Sequence, residues 1–258
     1  MELFGETNFY DFIFAAMAFF FAWEFSVITN DLVDVDIDRV SNRKRPLANG
    51  NLEKNQMFWL ATFYLLFAIL SASLIGGRFA FIVMSFIAVY WLYSMPPARL
   101  KRIPIFSVAI VSFASLMPIF GGAIIAGRHP IAIPQKVIWA IFIVFALSFN
   151  AKDLKDYEGD KSAGIRTLMT ILGERNGRIL IGVLDWASYC LFPVILGLWN
   201  SSILLLSALF GGLTFLIVIK NRTEKAISTE KIIFILYFIY FAVLTIFFRQ
   251  ILVNAIFG

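Results

Sequence analysis

The stretch that decides the fold runs from residue 12 to residue 38 and reads FIFAAMAFFFAWEFSVITNDLVDVDID. Its first part is apolar and long enough to cross a bilayer as a helix, in which every backbone polar group is satisfied within the segment. Its last eight residues carry four aspartates, Asp31, Asp34, Asp36 and Asp38. We therefore expect a membrane-spanning helix that leads directly into a surface rich in carboxylates.

Composition indicates that the whole chain is a membrane protein. Of its 258 residues, 60% are apolar and only 15% are charged, and its mean hydropathy is +0.83. Soluble domains carry about 25% charged residues. The single Cys190 excludes an intrachain disulfide, and the single His129 excludes a His-rich metal site and argues against a Ser/His/Asp triad. The sequence has no glycine-rich phosphate loop of the Walker or GxGxxG type.

Eight stretches have the roughly 20 mostly apolar residues that a helix needs to cross a bilayer. They lie near residues 9–33, 56–75, 79–95, 104–126, 131–151, 178–198, 201–220 and 230–252. Acidic residues precede the first of them, so we interpret it as a true span and not as a cleaved signal peptide. The sequence thus predicts an all-α, polytopic transmembrane bundle of about eight spans in one domain, residues 1–258. The pairs Gly121-Gly122 and Gly211-Gly212 are expected at close helix contacts.

The basic residues indicate an orientation. This arrangement of spans puts all but four of the 22 Lys and Arg on one side, and the four exceptions are Arg78, Arg128, Lys136 and Arg249. Lys and Arg collect in cytoplasmic loops. We therefore predict a multi-pass protein of the cell membrane with both termini outside and with segment 34–55 in the cytoplasm. The net charge of +5 is then an orientation signal, and no nucleic-acid partner is expected.

The acidic residues are concentrated at one predicted membrane face. Eight of the 17 lie in two short segments, each of which follows a span running inward: Asp31, Asp34, Asp36, Asp38, Asp153, Asp156, Glu158 and Asp160. Asn30, Asp34 and Asp38 recur every four residues. Asp153, Asp156 and Asp160 recur at intervals of three and four. Each set therefore predicts one stripe along a helix at its cytoplasmic end, and the two stripes are expected to share a site.

Carboxylates stacked in this way require a positive partner. They repel one another, and a helix C-terminus adds partial negative charge. Oxygen ligands with open positions suit Mg²⁺, which is commonly shared with substrate phosphates. Basic residues that suit a diphosphate follow the first stripe, occupy the loop between the third and fourth spans, or flank the second stripe: Arg43; Arg99, Lys101 and Arg102; and Lys152, Lys161 and Arg166. The alternative interpretation is that these acids are ordinary hydrated residues beside a membrane.

Three motifs occur in order over residues 30–168. The first is Asn30-Asp31-x-x-Asp34-x-x-x-Asp38, followed by Arg43-x-Arg45-Pro46-Leu47. The second is Tyr93-Ser94-x-Pro96-Pro97-x-Arg99-Leu100-Lys101. The third is Asp153-x-x-Asp156-x-x-x-Asp160-x-x-x-Gly164-x-x-Thr167-Leu168. Together they resemble the signature of the UbiA-type intramembrane prenyltransferases, with slightly altered Arg spacing in the first motif.

The resemblance implies a helix bundle around a central cavity and Mg²⁺-dependent transfer of an isoprenoid from a prenyl diphosphate, such as geranyl or geranylgeranyl diphosphate, to a lipophilic acceptor. By position, it assigns metal binding to Asn30, Asp31, Asp34, Asp38, Asp153, Asp156 and Asp160. It assigns catalysis to four of these, Asp34, Asp38, Asp156 and Asp160. It assigns substrate binding to Arg43, Tyr93, Arg99, Lys101, Lys161 and Arg166. The family usually has nine spans, so the eight expected here correspond to its bundle without the first helix.

Several functions stay open from the sequence. The acceptor is either an aromatic quinone precursor or a lipid hydroxyl such as that of geranylgeranylglyceryl phosphate. One rival function is a divalent-cation transporter or channel, since carboxylates at a membrane face also bind such ions. Another is a membrane protein that binds an isoprenoid without turning it over.

Overall fold

The computed structural model describes residues 8–41, 43–220 and 226–257. Within these ranges the chain forms helices joined by short turns, and it forms no strand. The α-helices are α1 (Phe9–Ser41), α2 (Lys54–Ile75), α3 (Gly77–Ser94), α4 (Pro104–Ala114), α5 (Leu116–Ile125), α6 (Gln135–Ser148), α7 (Asp153–Ser162), α8 (Leu168–Leu196), α9 (Ser201–Lys220), α10 (Ala226–Phe247) and α11 (Arg249–Phe257). The described chain has eight helical segments long and apolar enough to span a bilayer. The predicted all-α, multi-pass architecture is confirmed.

The chain divides into two compact units. Unit 1 consists of Met1–Lys101 and Phe113–Ile133, and unit 2 consists of Arg102–Ser112 and Pro134–Gly258. The first predicted aspartate stripe therefore belongs to unit 1, and the second belongs to unit 2.

Unit 1 is built on the packing of α1 against α2. Its buried positions are rich in alanine, which lets neighbouring helices approach closely where lipid removes the usual hydrophobic driving force. These alanines are Ala15, Ala18 and Ala22 of α1 and Ala61, Ala68 and Ala72 of α2. Larger side chains fill the space towards α3, where the Phe19 ring meets the edges of Phe79 and Phe86 at centroid distances of 5.7 and 5.8 Å.

Unit 2 packs α8 against α6 and α9, with α10 beside α9. Its centre combines aromatic rings with hydroxyl groups. Tyr189 stacks on Tyr237 with ring centroids 4.3 Å apart, and the hydroxyls of Tyr240 and Ser207 are 2.8 Å apart. This hydrogen bond satisfies two hydroxyl groups that have no access to water inside a bilayer.

Two helix ends differ most from the sequence expectation. α1 continues to Ser41, eight residues beyond the predicted end at 33, and the Nε of Arg43 donates to the carbonyl of Arg39 (3.0 Å) at its last turn. α8 begins at Leu168, ten residues before the predicted start at 178. Its first turn is set off by a kink at Gly173, whose φ of 77° and ψ of 166° favour glycine.

The predicted close helix contacts are found for one glycine of each pair. A Cβ on Gly121 would lie 2.9 Å from the rings of Phe19 and Phe79, and a Cβ on Gly211 would lie 2.3 Å from Cδ1 of Trp186 and 3.1 Å from its Cα. The expected close contact is therefore confirmed for these two. It is wrong for Gly122 and Gly212, because a Cβ on either would meet no atom within 4 Å. Adjacent helix positions point about 100° apart, so only one member of each pair faces the neighbouring helix.

We expect Gly211→Ala to destabilise unit 2 and Gly212→Ala to be tolerated. The new methyl group at 211 would collide with the indole of Trp186 and crowd its Cα, and overpacking of this kind costs about 1–3 kcal/mol. Thermal unfolding of the two variants and the unaltered protein in the same detergent measures the difference. Equal unfolding temperatures for the two variants would contradict the contact between α8 and α9 at Gly211.

Candidate active site

The first stripe lies on α1 as predicted. Asn30, Asp34 and Asp38 follow one another at four-residue spacing on this helix, and the side chains of Asp34 and Asp38 are buried. Asp31 is also buried, one position away from the stripe, and it forms an ion pair with Arg45 from the segment after α1. The interaction fixes that segment against the helix. Arg45 had no predicted role of its own, although it stands in the first motif.

The segment that follows α3 brings two cations onto this stripe. Nη2 of Arg99 lies 2.7 Å from Oδ1 of Asp34, and Nζ of Lys101 pairs with Oδ2 of the same carboxylate. Lys101 also donates to Oδ1 of Asn30 (2.8 Å), which accepts a second hydrogen bond from the hydroxyl of Ser94 (2.9 Å). The structure therefore joins predicted metal ligands and predicted diphosphate-binding residues in one buried polar cluster.

The backbone of this segment is unusual at Arg99. Its φ is 40°, a conformation that few residues other than glycine adopt. The N–H of Arg99 donates to the carbonyl of Met95 (2.9 Å), and its guanidinium is held by Asp34, so both ends of the residue are fixed. Strained backbone of this kind persists where the surroundings determine it, and it occurs often at functional sites.

Two other predicted residues of unit 1 make different contacts. Arg43 is exposed and donates to the end of α1, as described above. The ring of Tyr93 lies beside that of Tyr90, at a centroid distance of 6.2 Å. Their expected contact with a diphosphate stays a prediction.

The second acidic segment forms α7 in unit 2. α6 ends at Ser148, a 3₁₀ turn spans Phe149–Lys152, and α7 begins at Asp153. The amide of Asn150 donates to the carbonyls of Ala146 and Leu147, both at 3.0 Å, and so caps the end of α6. The expectation that these acids close a helix is therefore wrong for the first two, Asp153 and Asp156, which lie in the first turn of α7. There the helix dipole favours negative charge.

The carboxylates of α7 differ in burial. Asp153 and Asp160 are buried, Asp156 is partly buried, and Glu158 is exposed. The three aspartates of the predicted stripe are thus shielded from solvent to different degrees, whereas Glu158, which is not part of the stripe, is exposed. Gly164 of the third motif lies in the turn after α7, where it adopts a φ of 65° that favours glycine. Thr167 then caps α8 through a reciprocal pair of hydrogen bonds with Thr170.

An ion pair between distant parts of the chain fixes α7. Nζ of Lys155 lies 2.7 Å from Oε2 and 2.9 Å from Oε1 of Glu230 on α10. Lys161, a predicted substrate residue, has its ammonium 5.5 Å from the centre of the Tyr157 ring, and Arg166 is exposed after α7. The role of Glu230 was not predicted, since 75 residues separate it from Lys155 and no local pattern marks it.

The donor set suits a hard divalent cation. In the part of the chain that the structure describes, no three His, Cys, Asp or Glu side chains lie close enough together to form a complete metal site. The stripe on α1 instead offers amide and carboxylate oxygens from Asn30, Asp34 and Asp38 on one face. Mg²⁺ needs only one or two protein carboxylates when waters and phosphates complete its octahedron, so this partial set fits the ion.

Comparison with known proteins decides the family. The family model described as UbiA prenyltransferase family matches residues 3–251, nearly the whole chain. The chain belongs to the UbiA prenyltransferase family. The sequence-based resemblance is thereby confirmed.

Relatives of this UbiA protein include enzymes of two kinds. It is 31% identical over 148 residues to the digeranylgeranylglyceryl phosphate synthase of Thermococcus gammatolerans, an alignment that covers 57% of this chain and 51% of that protein. It is 31% identical over 160 residues to the chloroplastic homogentisate solanesyltransferase of Arabidopsis thaliana, covering 57% of this chain and 40% of that protein. The matched region thus spans about half the length of these relatives or less.

The UbiA fold is found in a solved structure as well. A UbiA homolog from Archaeoglobus fulgidus bound to DMAPP and Mg²⁺ superimposes with a TM-score of 0.68 at 20% identity. The superposition covers 93% of this chain and 90% of that one. At this identity the likeness shows the fold.

The Lys155 and Glu230 pair is expected to stabilise unit 2 through direct coupling. We predict a coupling free energy of about 1–2 kcal/mol for this largely buried, charge-assisted pair. A double-mutant cycle of Lys155→Met, Glu230→Gln and the combined variant, followed by thermal unfolding in detergent, measures it. Additive losses, with no coupling between the two positions, would show that the pair does not hold α7 to α10.

Proposed function

We propose that this UbiA-family chain catalyses Mg²⁺-dependent transfer of an isoprenoid from an allylic prenyl diphosphate to a lipophilic acceptor, with release of pyrophosphate. The observation that carries this proposal is the contact of Arg99 and Lys101 with the buried Asp34. It brings oxygen ligands for a hard cation together with the two kinds of cation that bind phosphate. The match of the family model over residues 3–251 supports the same activity.

The metal ligands in this proposal come from both aspartate stripes, which contribute to one site at the cytoplasmic face. They are Asn30, Asp34 and Asp38 from α1 and Asp153, Asp156 and Asp160 from α7. Asp31 is the least suited of the predicted ligands, because it lies one position away from the stripe and pairs with Arg45, which has no proposed contact with the diphosphate. When bound, Mg²⁺ neutralises the charge that develops on the leaving diphosphate. The Mg²⁺ bound to the UbiA homolog from Archaeoglobus fulgidus supports the choice of ion.

Arg99 and Lys101 exchange partners when substrate binds. Each releases Asp34 and takes phosphate oxygens instead, Arg99 as a planar two-pronged donor and Lys101 as a compact charge. Asp34 is then available to the metal. In the proposed complex Arg43, Tyr93, Lys161 and Arg166 supply further diphosphate contacts. The expected site thus keeps its charges paired both before and after substrate binding.

The reaction proceeds by loss of the diphosphate. The allylic C–O bond breaks, its electron pair leaves with the diphosphate, and the acceptor attacks the resulting allylic cation with an oxygen or ring carbon. The acceptor then loses one proton. Exclusion of water from the site would protect the cation from capture. This order requires that charge on the leaving group be neutralised first, which is the task of Arg99 and Lys101.

Two acceptor classes follow from the named relatives. One is a lipid hydroxyl such as that of geranylgeranylglyceryl phosphate, and the other is an aromatic quinone precursor of the homogentisate kind. In this proposal the whole chain, residues 1–258, acts as one integral-membrane domain with both termini outside. Incubation of the purified protein with radiolabelled prenyl diphosphates and both acceptors distinguishes the classes.

We expect Asp34→Ala and Asp156→Ala to abolish Mg²⁺-dependent prenyl transfer without unfolding the protein. Each removes a carboxylate of a proposed metal site. Matched controls lie in the same two helices: Asp36 is exposed and pairs with the exposed Arg39, and Glu158 is exposed. Asp36→Ala and Glu158→Ala should therefore keep activity. Radiolabelled product formation at saturating Mg²⁺, with thermal unfolding alongside, measures both effects.

Full turnover in either stripe variant would contradict the metal assignment. Passage of Mg²⁺ across proteoliposomes without any consumption of diphosphate would instead favour a transporter. Tight binding of prenyl diphosphate by the unaltered protein, with no product from any acceptor, would favour a non-catalytic isoprenoid-binding protein.

A further inference from the structure

A carboxyl group without a hydrogen-bond partner lies inside a membrane-spanning helix of unit 2. Asp185 on α8 is fully buried, and neither of its carboxylate oxygens has a hydrogen-bond partner among the residues that the structure describes. A buried polar group without a partner is costly. Acidic residues within membrane spans usually mark a functional site. Asp185 has no role in the metal and diphosphate site, so another function must account for it.

Hydroxyl groups of α8 and α10 lie beside this residue. The Tyr237 hydroxyl on α10 shares a hydrogen bond with the Ser188 hydroxyl and lies 3.5 Å from the backbone carbonyl of Asp185. The Ser188 hydroxyl donates to the same carbonyl (2.6 Å). The carboxyl of Asp185 also interacts electrostatically with the Tyr237 hydroxyl. Tyr237 is therefore held with its hydroxyl towards the buried acid.

Tyr237 differs in exposure from the two tyrosines that pack against it. Tyr189 and Tyr240 are fully buried, whereas Tyr237 is only partly buried. The side chain of Ser148, the last residue of α6, lies beside the Tyr237 hydroxyl and is partly buried as well. These two residues are therefore the part of the hydroxyl cluster that a bound molecule can reach.

Two paths through unit 2 give the distance from this cluster to α7. Ser148 precedes Asp153 by five residues of helical or 3₁₀ conformation, which separates their backbones by about 8–10 Å. Tyr237 follows Glu230 on α10 by seven residues, or about 10.5 Å, and Glu230 is paired with Lys155 of α7. Both paths therefore place the hydroxyl cluster about 10 Å from α7.

This distance suits the acceptor in the proposed reaction. A diphosphate bound to the α7 carboxylates through Mg²⁺ is separated from them by two metal–oxygen bonds of about 2.1 Å each. The reacting carbon lies on the far side of a phosphate, and the attacking atom approaches it to about 3–3.5 Å. Together these steps put the attacking atom of the acceptor about 10 Å from the carboxylates.

We propose that Tyr237 and Ser148 bind the hydroxyl group of the acceptor, and that Asp185 is a positioning residue that orients Tyr237. The inference rests on the proposed function and adds to it a site for the second substrate. Both proposed acceptor classes, a lipid alcohol and a phenol, carry a hydroxyl group.

The hydrogen bonds set the direction of this contact. Because Ser188 donates its hydroxyl hydrogen to the carbonyl of Asp185, Tyr237 is the donor in its bond with Ser188. The Asp185 carboxyl attracts the same hydrogen of Tyr237. The Tyr237 oxygen is then left to accept a hydrogen bond from the hydroxyl of the acceptor.

Removal of single hydroxyl groups tests the inference. Tyr237→Phe removes the proposed contact and keeps the ring. Tyr240→Phe is the matched control, because its hydroxyl lies one turn further along α10 and pairs with Ser207 in the buried core. The acceptor is geranylgeranylglyceryl phosphate or homogentisate, whichever the unaltered protein prenylates. We measure KM for the acceptor, KM for the prenyl diphosphate and the unfolding temperature in detergent.

The expected result is selective for the acceptor. Tyr237→Phe should raise KM for the acceptor about three- to tenfold, the effect of one lost hydrogen bond, and leave KM for the prenyl diphosphate unchanged. Binding of the acceptor to protein saturated with Mg²⁺ and an unreactive prenyl thiodiphosphate should weaken by the same factor. Tyr240→Phe should lower the unfolding temperature and change neither KM. An unchanged acceptor KM in Tyr237→Phe, or an equal rise in Tyr240→Phe, would overturn the inference.

Asp185→Asn tests the positioning role, because it keeps the size of the side chain and removes the carboxylate. It should raise KM for the acceptor in the unaltered background and have no further effect in the Tyr237→Phe background. Additive effects of the two substitutions would contradict an action through Tyr237. Absence of product with both acceptors in the unaltered protein would instead overturn the proposed function, and the inference with it.

Discussion

The buried carboxylate of Asp34 is the constraint on which the site depends. A charge removed from water is costly unless it is paired, and inside a membrane protein such charges face a partner or a cavity. Here Arg99 and Lys101 hold it, and Asn30 shares Lys101. The pairing fixes the segment after α3 against α1. It also holds Arg99 and Lys101, the two cations proposed to bind phosphate, beside the oxygen atoms proposed to bind metal.

α1 is long enough both to cross the bilayer and to carry the polar stripe with Asp34. A helix of 33 residues extends about 50 Å, whereas the hydrocarbon core of a bilayer is about 30 Å thick. The same helix therefore has room for a membrane-spanning part and for the polar stripe beyond it.

Sequence patterns predicted correctly those features that depend only on residues close together in the chain. Runs of apolar residues predicted the eight spans, and four-residue spacing predicted the stripe of Asn30, Asp34 and Asp38, because both depend only on helix geometry. Arg99 and Lys101 were predicted from their loop and from the family resemblance to bind a diphosphate, but nothing predicted their pairing with Asp34, from which 65 and 67 residues separate them. Their pairing with that particular carboxylate depends on how α3 packs against α1.

Other features had no sequence signal. The pair of Lys155 and Glu230 joins two helices that the sequence does not show to be neighbours. The 3₁₀ turn before α7 moves Asp153 to the start of a helix, and apolar periodicity does not mark so short a change. Likewise, adjacent glycines look alike in sequence, and only the packing reveals that a Cβ on Gly121 would meet phenylalanine rings while one on Gly122 would meet no atom within 4 Å.

Direct observation of the metal tests the central claim that both carboxylate rows serve one diphosphate. The measurement is an experimental structure of the protein in lipid with Mn²⁺ and an unreactive prenyl thiodiphosphate, using the anomalous signal to locate manganese. We expect manganese ions bridged by the diphosphate, with oxygen ligands from both α1 and α7, and Arg99 and Lys101 turned from Asp34 to the phosphates. Manganese on only one row, or two rows too far apart to contact a common diphosphate, would contradict the account.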